Sequence, residues 1–185
     1  MLKFKLYKDL SSRLKSKYSG LKKEVFAGEQ TLEEKAEYED KCCSKSDIIN
    51  YLVVYESGEV IGGVELFKRN VKYSDELLIL GGIGSIWVRK DKRRKGIASA
   101  ILKRGMKVLK KENCDIAYLC TDINQLKDLY SKVGFVPLDK DYTFVSKSEK
   151  RYFENDGMIA PINSGKKFKQ ILEDKKPFDI GVGNW

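Results

Sequence analysis

The chain has 185 residues, 42% hydrophobic and 34% charged, a length and balance suited to a folded core and not to a disordered chain. No apolar run approaches the roughly 20 residues that cross a bilayer. The opening MLKFKLYKDL interrupts its apolar positions with Lys and Asp, unlike a secretory signal, so a cytoplasmic protein without membrane contacts is expected. The net charge of +9 favours an acidic partner: nucleic acid, a membrane surface or a phosphorylated cofactor.

Histidine is absent, which removes the commonest general base and the commonest zinc ligand together. Cys42 and Cys43 are adjacent and Cys114 and Cys120 lie six apart, so there is no C-x-x-C pair and no metal is expected. Catalysis in this chain has to come from carboxylates, tyrosine, backbone dipoles or a thiol.

In chain order, Leu10 to Ala27 carries apolar residues at spacings of three and four, which predicts an amphipathic helix broken near Gly20. Thr31 and Glu34 form a capping-box pattern ahead of a second helix. The period then changes. Tyr51–Tyr55 and Glu59–Phe67 read as a hairpin turning at Ser57-Gly58. Leu77–Val88 is nearly all apolar and reads as a central strand, its glycines at 81, 82 and 84 marking a bulge or a close backbone approach. A helix is expected from Gly96 to Lys111, a strand from Asp115 to Cys120 and a helix from Asn124 to Val133. Further strand is expected at Phe135–Val136, Tyr142–Ser146 and Met158–Ile162, and a short helix at Ser164–Asp174. The fold class is α/β, with a mixed central β-sheet flanked by helices.

The stretch with most chemistry is VRKDKRRKGIASAIL, from Val88 to Leu102, where a buried strand passes through a basic loop into an amphipathic helix. Six of the seven residues from Arg89 to Lys95 are basic. A helix start offers backbone N–H groups without intrahelical partners and the positive end of the dipole. Gly96 permits close approach and Ala98 keeps the first turn uncrowded, so the segment suits a pyrophosphate.

Arg93-Arg94-Lys95-Gly96-Ile97-Ala98 resembles the acetyl-CoA-binding motif of the GNAT N-acetyltransferase superfamily, Gln/Arg-x-x-Gly-x-Gly/Ala. A second segment, LYSKVGFVPL from Leu129, is similar to the Leu-Tyr-x-x-x-Gly-Phe segment of that family and follows at the expected distance. The resemblance implies a GNAT fold and acetyl-CoA as acetyl donor. It implies that Arg93, Arg94, Lys95, Gly96, Ala98 and Ser99 bind the pyrophosphate and that Trp87 and Val88 pair with the pantetheine arm. It further implies that a backbone N–H near Val88 meets the developing oxyanion and that Tyr130 protonates the departing thiolate. A phenol suits that task, its reference pKa of about 10 lying near that of a thiol.

The tail is similar, more faintly, to the aminoglycoside 2′-N-acetyltransferases: Asp-Gly stands before an apolar strand, a Trp ends the chain, and Phe26-Ala27-Gly28-Glu29 matches an early segment. That resemblance implies an acceptor held by Glu29, Asp156 and the carboxylate on Trp185, carboxylates being what a cationic aminosugar needs. The sequence departs from the branch at Gly84 and Gly183, where acidic residues are expected, and in its lack of histidine. A covalent route through Cys120 has no histidine to activate it.

The expected organisation is one acetyltransferase domain over residues 1–185, with 147–185 an extension contributing to the acceptor site. The partners are a small-molecule amine acceptor and, as an assembly, a homodimer, with no nucleic acid and no membrane. Two other readings stay open: a GNAT enzyme acting on protein amines, and a non-enzymatic module using RKDKRRK as a phosphate patch on nucleic acid.

Overall fold

The computed structural model describes residues 1–28, 31–42 and 45–185. A strand not legible in the sequence comes first, β1 (Leu2–Tyr7), then α1 (Ser12–Phe26) and α2 (Leu32–Lys41). Helix α1 runs unbroken through Gly20, where no other group lies within 4 Å of a Cβ position, so the glycine lowers propensity without a packing reason for a kink. Thr31 and Glu34 cap α2 reciprocally, as the sequence predicts.

There follow β2 (Ile48–Glu56), β3 (Glu59–Tyr73) and β4 (Glu76–Val88), then α3 (Ile97–Lys111), β5 (Ile116–Cys120) and α4 (Ile123–Ser131). The last part holds β6 (Val136–Pro137), β7 (Tyr142–Val145), β8 (Arg151–Glu154), β9 (Gly157–Pro161), α5 (Gly165–Glu173) and β10 (Phe178–Val182). Strands β8 and β10 are further elements beyond those expected. β10 includes DIGV, where alternation is brief, Gly181 interrupts and Gly183 follows.

Seven strands form one mixed sheet in the order β1-β2-β3-β4-β5-β9-β6, and a second sheet has the order β10-β7-β8. In the large sheet only β4 and β5 run parallel. Helices α3 and α4 cover one face of its centre, where Ile97, Ile101, Leu102 and Leu109 meet Leu66, Ile83 and Leu119. The other face carries the small sheet, α5 and Trp185. Tyr18 of α1 closes a third cluster with Val53, Val60 and Trp87.

Candidate active site

Strands β4 and β5 pair over three residues only, Leu80–Gly82 against Ile116–Tyr118. β4 then continues to Val88 and β5 to Cys120, so the two diverge. The departure coincides with an irregularity in β4: Gly63 faces Trp87 while Glu65 faces Gly84, one extra residue on β4, and Ser85 takes φ +52°. Such a bulge adds twist and opens a ladder. The Arg89 amide donates to Ile61 O of β3, so by strand alternation the N–H and C=O of Val88 point the other way, into the opening.

At the mouth of this opening the loop from Arg89 reaches α3. Arg94 (φ +61°) and Gly96 (φ +73°) are both left-handed, and a succession of such residues turns neighbouring amides towards one point. The first helical bond of α3 is Ala100 N–H to Gly96 O, which leaves the amides of Ile97, Ala98 and Ser99 without acceptors inside the helix. A Cβ at Gly96 would meet nothing within 4 Å, so the space above the loop is open. The site fits a pyrophosphate.

The basic cluster is less free than its composition implies. Arg89 pairs with Asp91, Lys92 with Glu56, and the Arg93 guanidinium turns back to donate to Val88 O at 3.3 Å. Arg94 and Lys95 remain exposed. Trp87 turns its backbone carbonyl towards β3. Its indole is buried edge-on against Tyr18, ring centres 5.1 Å apart.

Tyr130 lies on α4, buried against Phe135. Burial raises its phenol above the ordinary value, with a hydrogen bond from the Thr121 side chain working the other way and the nearby Cys120 adding to the rise. Thr121 follows the last residue of β5, which places this phenol at the wide end of the β4–β5 opening.

The opposite wall is the tail. Arg69 of β3 donates to the carbonyls of Ile180 (2.7 Å) and Gly183 (2.8 Å), pairs with Asp47, and lays its guanidinium 3.8 Å over the Trp185 ring. The indole stacks on Phe67 at 5.2 Å and crosses β4 where a Cβ at Gly82 would overlap it. At Gly84 a Cβ would stand 2.7 Å from Phe67 and 3.2 Å from the backbone carbon of Trp185. Phe67 and the docked tail therefore fill the space that a side chain at position 84 would need.

Asn184, buried, ties the wall together: its Oδ1 accepts from the Tyr118 hydroxyl and from Trp185 N, and its Nδ2 donates to the Tyr142 hydroxyl. Cys120 Sγ lies 3.6 Å from Trp185 O. Burial pushes the Cys120 thiol up to about 12, with the Asp156 charge adding, which disfavours the thiolate that a nucleophile needs.

Beside this wall is an open cavity of about 690 Å³ whose lining includes Asp122, Asp139, Asp141 and Asp156. Lys140, the one cation of the lining, directs its ammonium to Asp174 O at 2.7 Å. Asp156 O accepts from Thr121 N at 3.0 Å, so this carboxylate is held at the same strand end as the residue that bonds Tyr130. Burial raises the Asp156 carboxyl above the usual range, the Tyr142 hydrogen bond opposing and the Glu154 charge adding. Glu29, the remaining sequence-predicted acceptor residue, lies outside the described residues.

Sequence reasoning passed over Tyr142, Glu154, Asn184, Lys41 and Arg69. Tyr142 read as ordinary strand, Glu154 fell where no element was expected, and Arg69 read as one basic residue among many. Among the described residues no cluster of His, Cys, Asp or Glu is arranged to hold a metal, and no helix is long and apolar enough to cross a membrane.

A splayed parallel strand pair with an anion-binding helix start between its ends defines a class, the α/β acyltransferases that take a nucleotide-bearing donor. The family model described as "Acetyltransferase (GNAT) domain" matches residues 7–137. The chain belongs to the GNAT acetyltransferase family, whose domains use acetyl-CoA. No curated protein matches the sequence.

Among solved structures, Naa20 from Chaetomium thermophilum, in complex with a bisubstrate analogue, superposes with a TM-score of 0.61 at 14% identity, covering 97% of this chain and 96% of its own. ElaA from Escherichia coli gives 0.59 at 17% identity, covering 86% and 99%. An aminoglycoside acetyltransferase from an uncultured soil metagenomic sample gives 0.53 at 19%, covering 72% and 91%. Some longer matches, such as a GCN5-related N-acetyltransferase from Anabaena variabilis, are spanned over only about a third of their length, 34% in that case. At these identities the likeness is one of fold.

Proposed function

We propose that this chain transfers the acetyl group of acetyl-CoA to a primary amine of a small cationic acceptor, by direct attack of the amine in a ternary complex. The observation that carries this reading is the acidic cavity beside Asp156, joined through Thr121 to the buried Tyr130 at the open end of β4 and β5. A locally acidic cleft on a protein of net charge +9 selects a polycation by contrast with its surroundings. Similarity to an aminoglycoside acetyltransferase supports the same acceptor class.

In this reading the amides of Arg94, Lys95, Gly96, Ala98 and Ser99 hold the pyrophosphate, and Arg93 braces the loop through Val88 O. The backbone of Trp87 and Val88 lies along the pantetheine arm, and the Val88 N–H faces the carbonyl oxygen as negative charge develops on it. Tyr130 gives its proton to the departing sulfur. Residues 147–185 act as an extension of a single domain: Asp156 and the Trp185 backbone form the acceptor wall.

The test is calorimetric titration with acetyl-CoA, followed by thiol release over kanamycin, tobramycin, spermidine and peptides with a free α-amine. Release with an aminoglycoside or spermidine supports the reading. Release with peptides alone moves the acceptor class to protein amines. Absence of acetyl-CoA binding, with salt-dependent affinity for nucleic acid instead, overturns it.

A further inference from the structure

Three oxygens stand in a row between β7 and the β8–β9 turn. Tyr142 Oη lies 2.7 Å from Asp156 Oδ1 and 2.8 Å from Glu154 Oε2, and it already accepts from Asn184 Nδ2 at 3.0 Å. A phenol has one proton to donate. It satisfies one of these carboxylates, and the other short O···O contact then needs a proton from the carboxyl side. Two like charges bridged at this distance do not both ionise in the ordinary range.

The surroundings decide which carboxyl keeps its proton to higher pH and, once ionised, takes a proton back more readily. Lys41 of α2 lies 2.7 Å from Glu154 Oε1 and 2.8 Å from Glu37, so Glu154 has a cation as an ion-pair partner. Burial works against the Lys41 ammonium, but its two carboxylate bonds outweigh this and keep it charged. Among the described residues Asp156 makes no ion pair, and the Lys41 charge acts on its carboxyl more weakly than burial, the Tyr142 hydrogen bond and the Glu154 charge. From β5 it faces Tyr118 and Cys120, both held neutral by burial, and across the cavity it faces Asp122, Asp139 and Asp141, with Lys140 turned to Asp174.

We infer that Asp156 is the base that removes the acceptor's ammonium proton, and that Tyr142 and Glu154 are positioning residues that share a proton with it. The inference rests on the amine-acetyltransferase reading and deepens it by naming the base. Acetyl-CoA supplies a thioester carbonyl, at which a C–N bond forms and the C–S bond breaks. Asp156 takes one proton from the ammonium and later releases it to water. Tyr130 gives a proton to the leaving sulfur and recovers the second proton of the acceptor nitrogen, so one proton is released overall. A carboxylate drawn upward from its ordinary value is the better base near neutral pH.

The test pairs a measurement without substrate and one with it. Carboxyl ¹³C NMR of the full-length protein follows each Asp and Glu, with Asp156→Asn assigning the resonance. The expected midpoint for Asp156 lies above the usual carboxylate range, moving down in Glu154→Gln and up in Tyr142→Phe. With whichever amine of the panel is turned over, Asp156→Asn lowers kcat by about 10²-fold or more and leaves acetyl-CoA affinity unchanged. The acid limb of kcat/KM shifts to lower pH in Glu154→Gln and to higher pH in Tyr142→Phe. An ordinary Asp156 midpoint, or a wild-type pH profile in Asp156→Asn, overturns the base assignment alone. If no amine of the panel is acetylated the acceptor reading fails and the base assignment falls with it.

Discussion

Gly96→Val separates what the loop does for the fold from what it does for the ligand. At φ +73° a β-branched side chain is strained, and the left-handed conformation costs a non-glycine residue about 1–2 kcal/mol. No atom lies within 4 Å of the added Cβ, so that strain is the main structural cost. For a chain of this size it lowers the melting temperature by roughly 2–8 °C. Gly58, in the turn between β2 and β3, is the control: φ +84° and equally open space, in a turn that meets the loop through Glu56–Lys92 and Glu59–Arg89 and not at the start of α3. Gly58→Val therefore loses similar stability. The two variants part company in calorimetry. The methyl groups at position 96 stand where a pyrophosphate meets the amides of Ile97 to Ser99, so the dissociation constant of acetyl-CoA rises at least tenfold, about 1.4 kcal/mol, and that of Gly58→Val stays at the wild-type value. A folded Gly96→Val protein that binds acetyl-CoA normally refutes the cradle.

Tyr130→Phe is expected to reduce kcat by ~10²-fold or more with acetyl-CoA affinity unchanged, measured by thiol release and calorimetry. Wild-type turnover would assign the proton to another donor. Trp185→Ala empties a site between Phe67, Arg69 and the surface of Gly82, and loss of a buried large aromatic costs about 3 kcal/mol or more, seen as a lower melting temperature together with a raised KM for the amine. Burial lifts the Cys114 thiol to about 11 and the Cys120 thiol to about 12 from an ordinary 9.0. The folded state therefore keeps these protons after the unfolded chain has released them, so stability is full below about pH 9 and falls as pH rises towards 11 and 12. Cys120→Ala flattens that alkaline decline in urea melts, and an unchanged slope would show that the thiol does not titrate in this window.

The elements that carry the proposed donor site were legible because each is local in sequence. Apolar run, basic loop, glycine and amphipathic helix lie within Leu77–Lys111, and helix and strand periods separate them cleanly. The long apolar strand, its cluster of glycines and the capping box at Thr31 were found for the same reason. The acceptor half was hidden by distance. Nothing near Gly82 announces that a Trp more than a hundred residues on will lie across it, and Arg69 gains its meaning only from carbonyls of the tail. β1 was missed because Lys alternates with its apolar residues at an edge, where solvent takes one face. Tyr142 and Glu154 carry no local signal at all, since a shared proton is a property of three oxygens and not of a spacing.

The clamp made by Arg69 also orders events in time. The donor loop sits between elements that are neighbours in the chain, β3, β4 and α3, whose closure needs only short loops. The tail is held through partners 111 and 114 residues away from Arg69, and such contacts are entropically late in folding. A folding molecule thus owns a place for its donor before it owns a wall for its acceptor. Segment 178–185 is therefore expected to open before the rest of the fold, with amide exchange there running ahead of exchange in α3.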